Sequence, residues 1–143
     1  MQPTKGQHAV VYPRVALDLR GVTEPTRHVR HWARSVLATW RVAPEAVDDV
    51  VLILSELVTN AALHAGRALR AVLIRQPGDI CIEVVDNSIR APQLRMMNPG
   101  EESGRGLYLV QQLGRQWGSR LVSPDEYTGA AKVVWCIITA PAQ

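Results

Sequence analysis

Three short stretches carry residue types suited to holding and activating a phosphorylated ligand. In Glu56-Leu-Val-Thr-Asn60-Ala-Ala-Leu-His64 a polar residue recurs at every fourth position. That step turns only about 40° around a helix, so Glu56, Asn60 and His64 form one ridge beside an apolar stripe. An amide oxygen on the ridge suits Mg²⁺, a hard ion that keeps water and phosphate oxygens as its other ligands. A carboxylate one turn earlier suits a general base. An exposed ridge held by i,i+4 hydrogen bonding has the same spacing, and this motif alone leaves both readings open. In Cys81-Ile-Glu-Val-Val-Asp86, strand alternation sets Asp86 on the face of Ile82 and Val84. A carboxylate at the edge of an apolar face needs a donor, and the exocyclic amine of adenine is a suitable one; a turn-starting aspartate fits equally well. Gly104-Arg-Gly106 opens a helical pattern, where unpaired amides and the positive dipole end favour phosphate and glycine lets it approach. No third glycine completes a dinucleotide fingerprint, and no P-loop is present.

The elements that must position these residues are readable from periodicity. Residues 9–20 alternate after Pro13 and predict an edge strand ended by Gly21. Thr23 and Pro25 suit the start of a helix whose apolar face is Val29, Ala33, Val36, Leu37 and Trp40, with Arg27, Arg30, His31 and Arg34 on a solvated face. A second helix is expected from Pro44 to about Ala65, stopped by Gly66, with a core stripe from Val47 to Ala65. Residues 69–75 and 80–86 predict a hairpin around Pro77-Gly78-Asp79. From Asn87 to Gly104 the periodicity is lost, and a loop that long inside a compact domain is usually functional or disordered. Leu107, Val110, Gly114 and Trp117 then mark a third helix, and residues 118–123 and 131–139 two closing strands. The sum is a two-layer α/β sandwich in one domain over residues 1–143, with its core at about 9–139.

Composition narrows the classes further. The 143 residues are 47% hydrophobic and 20% charged, which fits a soluble globular domain and argues against disorder or a membrane protein. No apolar run approaches the roughly 18 residues of a bilayer span. The net charge of +3 is spread along the chain without a basic run, so direct nucleic-acid binding is not expected. Cys81 and Cys136 both sit in apolar strand-like segments and no secretory leader opens the sequence, the pattern of a reduced, cytoplasmic protein.

Order makes these motifs specific. Glu-x-x-x-Asn on a core helix, a hairpin ending in Asp, a long loop and Gly-x-Gly opening a helix resemble, in sequence, the nucleotide-binding boxes of the GHKL ATPase superfamily. Ser55-Glu-Leu-Val-Thr-Asn-Ala-Ala-Leu-His-Ala65, Val-Val-Asp86-Asn-Ser88, Gly104-Arg-Gly-Leu-Tyr-Leu-Val110, Trp117-Gly118 and Val134-Trp135 look most like the anti-sigma-factor serine/threonine kinases, particularly small actinobacterial members. The resemblance spans about residues 27 to 138. It implies the GHKL fold, a mixed, mainly antiparallel sheet with helices on one face, and it implies ATP and Mg²⁺ as ligands. By the same resemblance Asn60 is the Mg²⁺-binding residue, Glu56 the catalytic base and Asp86 the adenine-binding carboxylate. Ser88, Gly104, Arg105, Gly106 and Leu107 complete the nucleotide site, with Arg105 directed to the γ-phosphate. The implied activity is phosphorylation of a serine or threonine on an anti-sigma factor antagonist of the STAS type. A sigma factor is the second partner and a homodimer a further expectation. The alternative is a non-catalytic module that sequesters a partner under nucleotide control. Two positions depart from the family pattern. Ser88 stands where glycine is frequent, and Ala131-Lys-Val133 replaces a Gly-x-Thr whose hydroxyl supports the aspartate.

Overall fold

The computed structural model describes residues 10–63, 66–87, 105–122 and 131–142. Five strands, β1 (Arg14–Asp18), β2 (Ala68–Gln76), β3 (Asp79–Asp86), β4 (Gln116–Leu121) and β5 (Lys132–Thr139), form one sheet in the order β1-β2-β3-β5-β4. Three helices, α1 (Pro25–Thr39), α2 (Pro44–Leu63) and α3 (Arg105–Leu113), cover one face. This is the expected α/β sandwich, with every strand pairing antiparallel. The β3-α3-β4 connection would make parallel neighbours, but β5 lies between those two strands and pairs antiparallel with both.

Alternation assigns the two faces. Ile80, Ile82 and Val84 of β3 and Val134, Cys136 and Ile138 of β5 join Val29, Ala33, Leu37, Val50, Ile53, Leu54 and Leu57 of the helices in the main core. The opposite face carries a smaller cluster of Leu69, Val85, Val122, Ala131 and Val133, with Trp135 against it. Leu69 reaches that second face because the β2–β3 register shifts between Ala68 and Arg70, and a bulge of this kind moves a residue across the sheet. Trp135 lies over Gly118, its register partner. A Cβ at Gly118 would sit 2.8 Å from the indole.

Two local expectations are corrected and one is extended. Thr23 does not cap α1. Glu24 occupies the N-cap with φ 54° and makes no side-chain cap bond. The outer face of α1 is exposed as expected, and from it Arg30 Nε donates to Ser55 Oγ at 2.8 Å, with Ser55 Oγ donating in turn to the Val51 carbonyl at 2.7 Å. Finally, Trp117 belongs to β4 and α3 stops at Leu113. The stop follows from Gly114, where a Cβ would lie 2.5 Å from Cys136 Sγ and 2.6 Å from the Val110 carbonyl oxygen. Gly114→Ala is therefore expected to force the helix end off the sheet and cost about 1–3 kcal/mol, as overpacked sites do. A lowered urea midpoint with an unchanged slope would register it.

Both cysteines are buried and free, on opposite faces of adjacent strands. Burial is the main cause that pushes the Cys81 thiol up to about 11 and the Cys136 thiol up to about 12. The thiolate is the reactive form, so neither is expected to react with Ellman's reagent at pH 8 until the chain is unfolded, when both should. The linkage has a definite sign. The folded chain keeps thiol protons that the unfolded chain loses above about pH 9. Stability from this source is complete below pH 9 and falls as pH rises toward 11–12.

Candidate functional site

Helix α2 brings the first two candidate residues to the edge of the core. Pro44 starts it with Glu45 in the first turn, and Ala46, Val50, Ile53, Leu54, Leu57, Val58 and Ala61 are buried at helical spacing. Glu56 and Asn60 fall beside that stripe and are half-buried, so each keeps one side toward the core and one toward solvent. His64, the expected third member of the ridge, lies outside the described residues. Ser55 and Thr59 tie this stretch to α1: Ser55 accepts from Arg30, and Thr59 Oγ1 is 3.2 Å from Thr26 Oγ1.

Strand β3 carries Asp86 as its last residue, on the helix-covered face with Val84 and Ile82. The Asp86 residue is 3% exposed. The chain just beyond is fastened by Asn87, whose Oδ1 accepts from the Arg67 amide at 2.7 Å while its own amide donates to the Arg67 carbonyl at 3.3 Å. Of the other expected ligand residues, Ser88 and Gly104 lie outside the described residues. Arg105, Gly106 and Leu107 form the first turn of α3, which leaves its leading amides without intrahelical partners.

Topology sets the C-terminal end of α2 and Asp86 at one end of the helix layer. Ala68, five residues after the end of α2, pairs with Asp86, so the C-terminal end of α2 that bears Asn60 stands at the Asp86 end of the sheet. At the far end of α3, Arg115 donates its amide to the Ile137 carbonyl at 2.8 Å and its guanidinium pairs with Asp79 at 2.7 Å. That pins the C-terminal end of α3 to the opposite end of the sheet. Nine residues at ~1.5 Å each make α3 about 13 Å long.

The residue missed by sequence reasoning is Lys132. It opens β5 directly opposite Asp86, on the helix-covered face two residues before Val134. Its Nζ lies 3.1 Å from Asp86 Oδ1, with the two side chains 8% and 4% exposed. The departure at Val133 marks the lost threonine hydroxyl, and the charge stands one residue before it. Its signal was a lysine at an inward position of an apolar strand, one of only two lysines in the chain.

These residues fit a magnesium-bound nucleoside triphosphate in chemical type. A half-buried amide suits a hard cation, a helix start suits phosphate, and a buried carboxylate and ammonium suit a base with donor and acceptor edges. Among the described residues no three His, Cys, Asp or Glu side chains stand together as a metal cluster. A cation at Asn60 would thus draw on phosphate and water for its other ligands. No helix among the described residues is long and apolar enough to cross a membrane.

Comparison with known proteins agrees with this chemistry. A family model described as the histidine kinase-like ATPase domain matches residues 22–126, a span that holds Glu56, Asn60, Asp86 and the start of α3 but not Lys132. No curated protein matches the sequence.

Proposed function

The chain belongs to the histidine kinase-like ATPase domain family, a membership that implies ATP binding, and from that premise we propose that it is an Mg-ATP-dependent regulator of the anti-sigma-factor kinase type. The observation that supports the reading is that Asp86 lies at the end of the sheet toward which α2 carries Asn60, with Glu56 one turn behind Asn60 on the same half-buried ridge. Asn60 would hold Mg²⁺, the amides at Arg105–Leu107 would face the phosphates, and Asp86 would accept from the adenine amine. The bound cation screens phosphate charge. Glu56 would take the proton of a serine or threonine hydroxyl on an antagonist protein as its oxygen bonds to the γ-phosphorus and the bond to the β-phosphate oxygen breaks, releasing ADP. A sigma factor would be the partner held until an unphosphorylated antagonist displaces it, within a cytoplasmic regulatory circuit that does not involve direct nucleic-acid contact.

The test is transfer of label from γ-labelled Mg-ATP to a STAS-type antagonist that the protein binds. Labelled serine or threonine on the antagonist supports the kinase. If the antagonist is bound and stays unlabelled while Mg-ATP binds normally, the protein is instead a sequestering module gated by nucleotide. If no nucleotide binds, both versions fail.

A further inference from the structure

The Asp86–Lys132 pair has a feature that salt-bridge formation alone does not use up. An ammonium has three N–H donors, and Lys132 spends one on Asp86. Among the described residues Asp86 is the only partner Lys132 has. Buried donors in native proteins are almost always satisfied, and this side chain is 8% exposed. The ammonium is thus a buried cation with unfilled donor capacity among the described residues, beside a carboxylate, at the end of the sheet toward which α2 runs. Such an arrangement can take a further acceptor.

We propose that Lys132 is a purine-specificity residue that, with Asp86, reads the 1- and 6-positions of adenine as an acceptor–donor couple. The proposal rests on the ATP-binding reading above and deepens it. The two groups are register partners on the same face of adjacent strands, 3.1 Å apart, so they present an acceptor and a donor side by side. The matching edge of adenine offers a donor, the 6-amine, beside an acceptor, N1. Asp86 accepts from the amine and Lys132 donates to N1. A hypoxanthine or guanine base reverses both positions, with a carbonyl at 6 and an N–H at 1. Bound in the same pose, it sets carbonyl oxygen against carboxylate and N–H against ammonium. One lysine thereby converts a single-contact reader of adenine into a two-contact one, and the reversed edge meets two mismatches instead of one.

The experiment is calorimetric titration of the whole protein with Mg-ATP, Mg-ITP and the magnesium complex of 1-deaza-ATP, which keeps the amine but has carbon in place of N1. Wild type should bind 1-deaza-ATP about ten- to a hundred-fold more weakly than ATP, the range for loss of one hydrogen bond from a charged donor, and ITP more weakly still. In Lys132→Met, which keeps the length but has no donor, the ratio between ATP and 1-deaza-ATP should fall to about one. The comparison of ligands on wild type needs no variant, so it stands even if Lys132→Met folds poorly. Equal wild-type affinity for ATP and 1-deaza-ATP overturns the role of Lys132 and leaves ATP binding intact. An unchanged ratio in a folded Lys132→Met, or ITP binding as tightly as ATP, overturns it too. Absence of binding by any of the three nucleotides removes the ATP reading itself, and this role of Lys132 with it.

Discussion

Glu56→Gln is expected to lower phosphoryl transfer by roughly 10²–10⁴-fold while leaving the Mg-ATP isotherm unchanged, the range for loss of a positioned general base. Glutamine keeps the size and hydrogen-bonding reach of the side chain and removes only its basicity. Because Glu56 is half-buried at the rim of α2 and the buried stripe beside it is untouched, the fold should tolerate the change. Asn60→Ala, one turn later, should act on the other quantity: Mg-ATP binding weakens, and transfer falls because less nucleotide is bound. Isotherms and single-turnover transfer measured on the same preparations separate the two effects. Equal transfer by wild type and Glu56→Gln would remove Glu56 from the chemistry. An Asn60→Ala variant that binds Mg-ATP as wild type does would remove Asn60 from the cation site.

Lys132→Met is expected to lower stability by up to about 3–5 kcal/mol in the absence of nucleotide, because it removes the cation paired with the buried Asp86 carboxylate. Replacing both partners, Asp86→Asn with Lys132→Met, should recover most of that loss, since the desolvation of two charges disappears together with their attraction. Urea unfolding of the four proteins gives the coupling directly as the departure from additivity. A single variant that costs under about 1 kcal/mol would place the pair among exposed ion pairs, whose contribution is that small.

Periodicity made most of the framework legible. The apolar spacing from Val47 to Ala65 and the alternation ending in Ile82, Val84 and Asp86 each place a candidate residue on its face, because both signals are local. Local signals also misled. Leu107, Val110, Gly114 and Trp117 keep helical spacing, yet the approach of Gly114 to Cys136 ends the helix and hands Trp117 to the sheet. That contact joins residues far apart in sequence, and no window around Gly114 contains it. The Asp86–Lys132 pair is illegible for the same reason. Recognising it requires knowing that β5 pairs with β3 rather than with β4 alone, and in which register. Arg30, read as a solvated residue, anchors Ser55 across the α1–α2 packing, a contact set by how two helices approach and not by either helix's own pattern.

The placement of β5 also bears on how the chain reaches this state. The last strand in sequence fills an interior slot of the sheet, between β3 and β4. Until it docks, β3 and β4 each present an unpaired edge, and exposed edges are templates for intermolecular pairing. Sheet closure must therefore wait for contacts between residues about fifty positions apart, such as Ile82 with Cys136. Loop closure over such distances slows folding and lengthens the life of aggregation-prone intermediates. Lys132 travels on that late strand, so the carboxylate of Asp86 acquires its counter-ion in the same event that seals the sheet. Ribosomal synthesis delivers Asp86 before Lys132, and the buried pair is complete only when β5 has emerged.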